Sequence, residues 1–309
     1  MALDPQVQRV LDHLEQTGNP ELPTLSVAQA REYSRNRPLP PGPALPVSDR
    51  RIPGPGGELP IRVYRPEASE LLGGLVYFHG GGFVLGDLDS HDALCRQLAL
   101  DAQCVVVSVD YRLAPEHKHP AAVQDCYAAT SWVHENADEL GIDHHRLAVG
   151  GDSAGGNLAT TIARLAKERR NPALLLQLLI YPVTDLRSFD TPSYLENATG
   201  KLLTREGMQW FAQHYVRSDA DRHDPGVSPL AAKNLIGLPP ALVITAEHDP
   251  LRDEGEAYVA LLRAAHNQVT HTRYDGMIHA FVSLYAFVDQ GRVALRQCSD
   301  ALRAAFDVR

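Results

Sequence analysis

The chain has 309 residues and a formal net charge of −9, an acidic balance that disfavours a nucleic-acid partner. Its 44% hydrophobic and 22% charged content is that of a globular protein, and no apolar run reaches the length that crosses a bilayer. A chain of this size buries about three quarters of its unfolded surface, which suits one α/β domain with decorations.

The N-terminus, Met1-Ala2-Leu3-Asp4-Pro5, has neither the basic nor the apolar region of a secretory leader, so the expected location is the cytoplasm. Cys95, Cys104, Cys126 and Cys298 show no paired spacing and are expected as buried, reduced thiols. Asp4-Pro5 caps a first helix whose Val7, Val10, Leu11 and Leu14 share one face. Ser26 and Gln29 form a capping box for a second helix, and Pro38, Pro40, Pro41 and Pro43 stop its continuation.

Apolar runs at residues 75–78 and 104–109 read as strands buried on both faces of a parallel sheet. Pro120 opens a helix running to Val133, residues 146–149 form another short strand, and a helix follows to Arg169 and Arg170. Further strands are expected at 174–181, 241–246 and 270–274, with a turn at Asp275-Gly276 and a closing helix over 289–306. Alternating strands and helices predict an α/β fold around a mostly parallel, doubly wound sheet. Between Pro182 and Pro239 the rhythm breaks: Thr204 caps a helix carrying Met208, Phe211, Ala212 and Tyr215 on one face. That face reads first as core, with a lid or pocket wall as the alternative.

The chemistry concentrates at Gly151-Asp152-Ser153-Ala154-Gly155, between the 146–149 strand and the helix after it. A G-x-S-x-G run in that context is a nucleophile elbow, whose sharp turn exposes a serine hydroxyl and whose glycines avoid collision with neighbouring backbone. Serine needs a base, and the base an orienting acid, arriving in the chain order Ser, Asp or Glu, His. Asp249, just past the 241–246 strand, and His279, just past the 270–274 strand, stand where that order requires. Glu247 and Asp253 are the competing acids. His79-Gly80-Gly81-Gly82 follows the 75–78 strand, so the N–H groups of Gly81 and Gly82 can join that of Ala154 in an oxyanion hole. His79 reads as an anchor of this loop. A phosphate cradle fails because Asp87 stands where a P-loop needs lysine. His117-Lys118-His119 and His144-His145 lack a zinc-site frame, so no catalytic metal is expected.

The stretches HGGGFVLGDLDSHD (79–92), DYRLAPEHKHPAAVQD (110–125), GDSAGGNLA (151–159), HDPLRDEG (248–255) and GMIHAF (276–281) resemble the bacterial carboxylesterases similar to hormone-sensitive lipase, within the α/β-hydrolase fold. The resemblance implies a triad of Ser153, Asp249 and His279, oxyanion donors at Gly81, Gly82 and Ala154, and no cofactor. It also implies one hydrolase domain over 1–309, with a helical cap formed by 1–45 and roughly 183–238. Leu203, Met208 and Phe211 then become candidate acyl-pocket residues. The expected activity is hydrolysis of short- to medium-chain carboxylic esters through an acyl-enzyme, on a small-molecule substrate. Alternatives are a receptor on the same fold without turnover, or a hydrolase of amides, lactones or longer lipids. A homo-oligomer is compatible with the sequence.

Overall fold

The computed structural model describes residues 2–37 and 41–307; Pro38 and Pro40 lie outside them. The chain runs α1 (Pro5–Gln16), α2 (Val27–Arg35), β1 (Val47–Gly54), β2 (Gly57–Tyr64), β3 (Leu72–Phe78), α3 (Asp92–Ala102), β4 (Val105–Val109), α4 (Ala121–Glu135), α5 (Ala137–Leu140), β5 (Ile142–Asp152) and α6 (Ala154–Arg169). It continues through β6 (Leu176–Ile180), α7 (Pro192–Glu196), α8 (Arg205–Tyr215), β7 (Ala241–His248), α9 (Arg252–Ala264), β8 (Val269–Ile278) and α10 (Asp289–Phe306). The strands form one sheet in the order β1-β2-β4-β3-β5-β6-β7-β8, parallel from β4 to β8. The antiparallel hairpin β1–β2 is added at one edge.

Alternation along each strand divides the core in two. Val76 and Phe78 of β3, Val107 of β4 and Val149 of β5 face α4, α6 and α9 through Cys126, Ile162 and Leu262. Leu75 and Tyr77 of β3, Val106 of β4 and Ala148 of β5 face α3 and α10 through Leu98 and Leu302. Both faces being covered explains why these strands are nearly unbroken apolar runs. The four cysteines are free and buried, and burial pushes the Cys104 thiol up to about 12. No helix among the described residues is long and apolar enough to cross a membrane.

The structure corrects the expected turn at Asp275-Gly276. β8 continues to Ile278, and the pairing with β7 passes from Ala246–Tyr274 to His248–Ile278, leaving extra residues on β8. Gly276 sits in this bulge at φ +74°, donates its N–H to Glu247 Oε2 at 2.7 Å, and accepts at its carbonyl from the Asp4 N–H. A left-handed glycine suits a bulge as well as a turn, and the N-terminal segment packs against it, so that a Cβ there would lie 3.2 Å from Asp4 N. The helix capped by Ser26 keeps its reciprocal bonds with Gln29.

Candidate active site

The parallel strands end on a common edge, and the segments after β3, β5, β7 and β8 converge there. β5 turns directly into α6 at Ser153, whose φ of 55° and ψ of −117° are costly for a residue with a Cβ. The neighbours make the turn feasible: a Cβ on Gly155 would lie 1.8 Å from the Phe78 carbonyl oxygen, and one on Gly151 would lie 2.3 Å from the same atom. The turn is fixed by hydrogen bonds from Ser153 N–H to Ile180 O (2.8 Å) and from Val183 N–H to Ser153 O (3.1 Å).

Three distant side chains meet at this turn. His279 Nε2 is 3.0 Å from Ser153 Oγ, and His279 Nδ1 is 2.7 Å from Asp249 Oδ2. Nδ1–H donating to the carboxylate leaves the Nε2 lone pair facing the serine hydroxyl, the tautomer required for accepting its proton. Asp249 is 1% exposed, and its other oxygen accepts the Leu251 N–H at 2.8 Å. The Tyr181 ring packs on the imidazole with centroids 4.7 Å apart. The competing acids are engaged elsewhere: Glu247 accepts from Gly276, and Asp253 accepts from the Ser193 N–H and from Arg252.

Gly81 and Gly82 follow β3 with φ of +115° and +61°, in the region that favours glycine. A Cβ on Gly82 would fall 2.2 Å from the Phe211 ring, so α8 lies directly on Gly82. Phe83 stacks on Tyr215 of the same helix at 3.8 Å between centroids. Ala154 opens α6, where the first N–H groups lack helical partners. Leu203 and Met208 are buried in the apolar cluster that contains Phe211.

One supporting network escaped the sequence reading, and a second gives the expected loop anchor His79 its partners. Asp152 is buried and accepts from Tyr77 Oη at 2.7 Å and from the Gly80 N–H at 3.0 Å, with His91 Nε2 3.2 Å away. Burial pushes this carboxyl up, but His91 and the His91 and Tyr77 hydrogen bonds outweigh it and hold Asp152 below the usual range. One carboxylate therefore ties the residue before the serine to the glycine loop. The second network centres on His79, whose ring stacks on Tyr111 at 4.3 Å with Nδ1 2.8 Å from Gly80 O. Burial lowers the His79 pKa to about 4, so the ring is neutral at pH 7. Tyr111 also donates to His79 O at 2.7 Å. The signals were present in Asp152 beside the serine and Tyr111 in the DYRLAPE run, but their partners lie far away in sequence.

A strand–serine–helix elbow on a mostly parallel sheet, with a later carboxylate and imidazole meeting it, defines an α/β-hydrolase. A family model described as α/β hydrolase fold matches residues 75–283. The carboxylic ester hydrolase LipN of Mycobacterium tuberculosis is 47% identical over 85% of this chain and 72% of its own. The carboxylesterase NlhH of the same organism is 42% identical over 98% of this chain and 96% of its own. The solved structure of esterase rPPE superposes with a TM-score of 0.96 at 41% identity, covering 100% of this chain and 99% of its own. The chain belongs to the hormone-sensitive-lipase-like carboxylesterase family of the α/β-hydrolase fold.

Proposed function

We propose that the protein is a serine carboxylesterase that hydrolyses short- to medium-chain carboxylic esters with Ser153, His279 and Asp249 as its triad. The observation that carries the reading is the continuous chain of hydrogen bonds from Ser153 Oγ through His279 to Asp249, at 3.0 and 2.7 Å. His279 Nε2 takes the hydroxyl proton as Ser153 Oγ bonds to the ester carbonyl carbon. The carbonyl π pair moves onto oxygen, where the N–H groups of Gly81, Gly82 and Ala154 receive it. Collapse of this intermediate breaks the carbon–alkoxy bond, and the His279 proton goes to the departing alcohol. Water then attacks the acyl-serine by the same route and releases the acid. Asp249 keeps the imidazole in register and stabilises its charged form, without accepting the proton.

The segments 1–45 and 183–238 serve in this reading as a cap on a single hydrolase domain. Its α8 brings Phe211 onto Gly82, with Leu203 and Met208 in the same apolar cluster. This arrangement suits an apolar acyl group lying against the cap. The names of the relatives support the ester bond as target; LipN is called a carboxylic ester hydrolase and NlhH a carboxylesterase. Ser153→Ala is expected to lower p-nitrophenyl butyrate turnover by at least about 10⁴-fold with the fold retained. An alkyl phosphonate should label the native protein at Ser153. Near-native turnover in that variant, or labelling elsewhere, would remove Ser153 from the role.

A further inference from the structure

Helix α2 lies outside the sheet, yet one of its side chains reaches the loop that carries the paired glycines. Arg31 donates from Nε to Val84 O at 2.9 Å and from Nη2 to Ala114 O at 2.8 Å. The guanidinium also grips Glu116 with two bonds, at 2.8 and 2.7 Å. Val84 and Ala114 are buried, at 0% and 1% exposure, and the guanidinium supplies their carbonyls with a charged donor held in fixed directions. The Glu116 pair is the weaker part, because that carboxylate is 54% exposed.

Val84 belongs to the turn that starts at the glycines. The N–H groups of Val84 and Leu85 both bond to Gly81 O, at 3.1 and 2.8 Å, and the Ala114 N–H bonds to Phe83 O at 2.9 Å. Arg31 thus holds one side of a closed turn that begins at Gly81 and contains Gly82. We infer that Arg31 is a positioning residue for ester hydrolysis: it fixes the turn from Gly81 to Leu85, aims the oxyanion donors, and makes the reaction rate depend on the docking of α2. The inference rests on the reading of Gly81 and Gly82 as oxyanion donors. A plane of five donors in fixed directions is what three acceptors on two loops require, and lysine cannot reproduce it.

A cavity of about 500 Å³, lined by Arg31, Arg35, Asp110, Arg112 and Glu116, opens beside the guanidinium. It provides a route for chemical rescue. The experiment compares the native enzyme with Arg31→Ala, Arg31→Lys and Arg35→Ala on p-nitrophenyl butyrate. It also measures affinity for a trifluoromethyl ketone, whose serine adduct places an oxyanion against the donors. Arg31→Ala should lower kcat roughly 10- to 100-fold, the loss that misplacement by about 1 Å brings, with KM little changed. Ketone affinity should fall by a similar factor, guanidinium at millimolar concentration should restore part of kcat, and Arg31→Lys should fall between. Arg35→Ala, which borders the same cavity, should retain native kcat.

Native kcat in Arg31→Ala, or a loss carried by KM alone, overturns the inference. So does a fall in kcat with unchanged ketone affinity. If Arg31→Ala does not fold, Arg31→Lys decides: parallel losses in kcat and ketone affinity support it, and native values of both overturn it. Phosphonate labelling of native Ser153 is established first. Failure there refutes the esterase site itself, whereas labelling with an indifferent Arg31 refutes only the brace.

Discussion

The buried imidazole of His79 makes a quantitative claim about acid stability. Burial lowers its pKa from 6.5 to about 4 in the folded chain. As the pH drops below 6.5, the unfolded chain takes up a proton that the folded chain refuses until about pH 4, so stability falls through that window. A shift of about 2.5 units corresponds to about 3 kcal/mol, most of it expressed by pH 4.5. The perturbation is His79→Asn, which retains an amide donor near the Nδ1 position facing Gly80 O, 2.8 Å away in the native protein. The variant loses the ring stack on Tyr111 and should be less stable at pH 7.5. The gap to the native protein should narrow by about 2–3 kcal/mol at pH 4.5, because the variant carries no suppressed proton site. Reversible urea unfolding at both pH values measures this, and other shared titrations cancel to first order in the difference. A gap independent of pH would mean that the folded protein protonates His79 near its ordinary pKa, and the reasoning from burial would fail.

Gly155→Ala should destabilise by about 3 kcal/mol or more, because its Cβ would lie 1.8 Å from the Phe78 carbonyl oxygen. Gly255→Ala on α9, whose nearest neighbour is Thr245 Cγ2 at 3.2 Å, should be neutral or raise Tm; calorimetry finding the two alike would refute the packing argument. Burial pushes the Glu254 carboxyl well above its usual range while Oε1 accepts from Thr184 and Asp185 N–H groups. Above pH 4.5 the unfolded chain releases this proton and the folded chain keeps it, so stability is lost as pH rises. Glu254→Gln should therefore gain Tm relative to native between pH 5 and pH 8, and a constant difference would show Glu254 ionised in the fold. Phe211→Ala opens space beside Gly82, and the octanoate-to-acetate ratio of kcat/KM should rise roughly tenfold; an unchanged ratio would place the acyl chain elsewhere.

What the sequence disclosed follows from how locally each feature is determined. β3, β4, β6 and β7 are buried on both faces, so composition alone marks them. The hairpin β1–β2 was not anticipated: it is an edge pair carrying Arg50, Arg51 and Arg62, with Pro53 and Pro60 interrupting the pattern. The Gly54–Gly57 pairing across its turn was the available signal. Ser153, Asp249 and His279 were legible because chain order and strand ends constrain them, and the structure brings the three together. Asp152 occupies a position where the elbow pattern allows any residue, and its partners Tyr77 and His91 are 75 and 61 residues away. Arg31 carries no local signal, because its partners Val84 and Ala114 are 53 and 83 residues away.

The same logic explains how a strained serine persists. Its left-handed backbone costs about 1–3 kcal/mol, and such a residue survives only where the surroundings over-determine it. Here the Ser153 N–H bonds to β6 at Ile180 O, its carbonyl accepts from Val183 beyond β6, and its carbonyl also starts α6 through the Asn157 N–H at 3.1 Å. Between those β6 contacts sits Tyr181, itself at φ 35°, its N–H bonded to Ile244 O of β7 at 2.7 Å and its ring against His279. The second strained residue therefore supports the first and packs on His279. Asn157 extends the same support outward, donating from Nδ2 to Val183 O and to Val227 O in the inserted segment, both at 2.9 Å. The serine, the imidazole and the insertion thus rest on one segment, residues 180–183. A disturbance of that segment moves Ser153 and His279 together, whereas a disturbance of Arg31 reaches the glycine loop at Val84 and the neighbouring segment at Ala114 and Glu116.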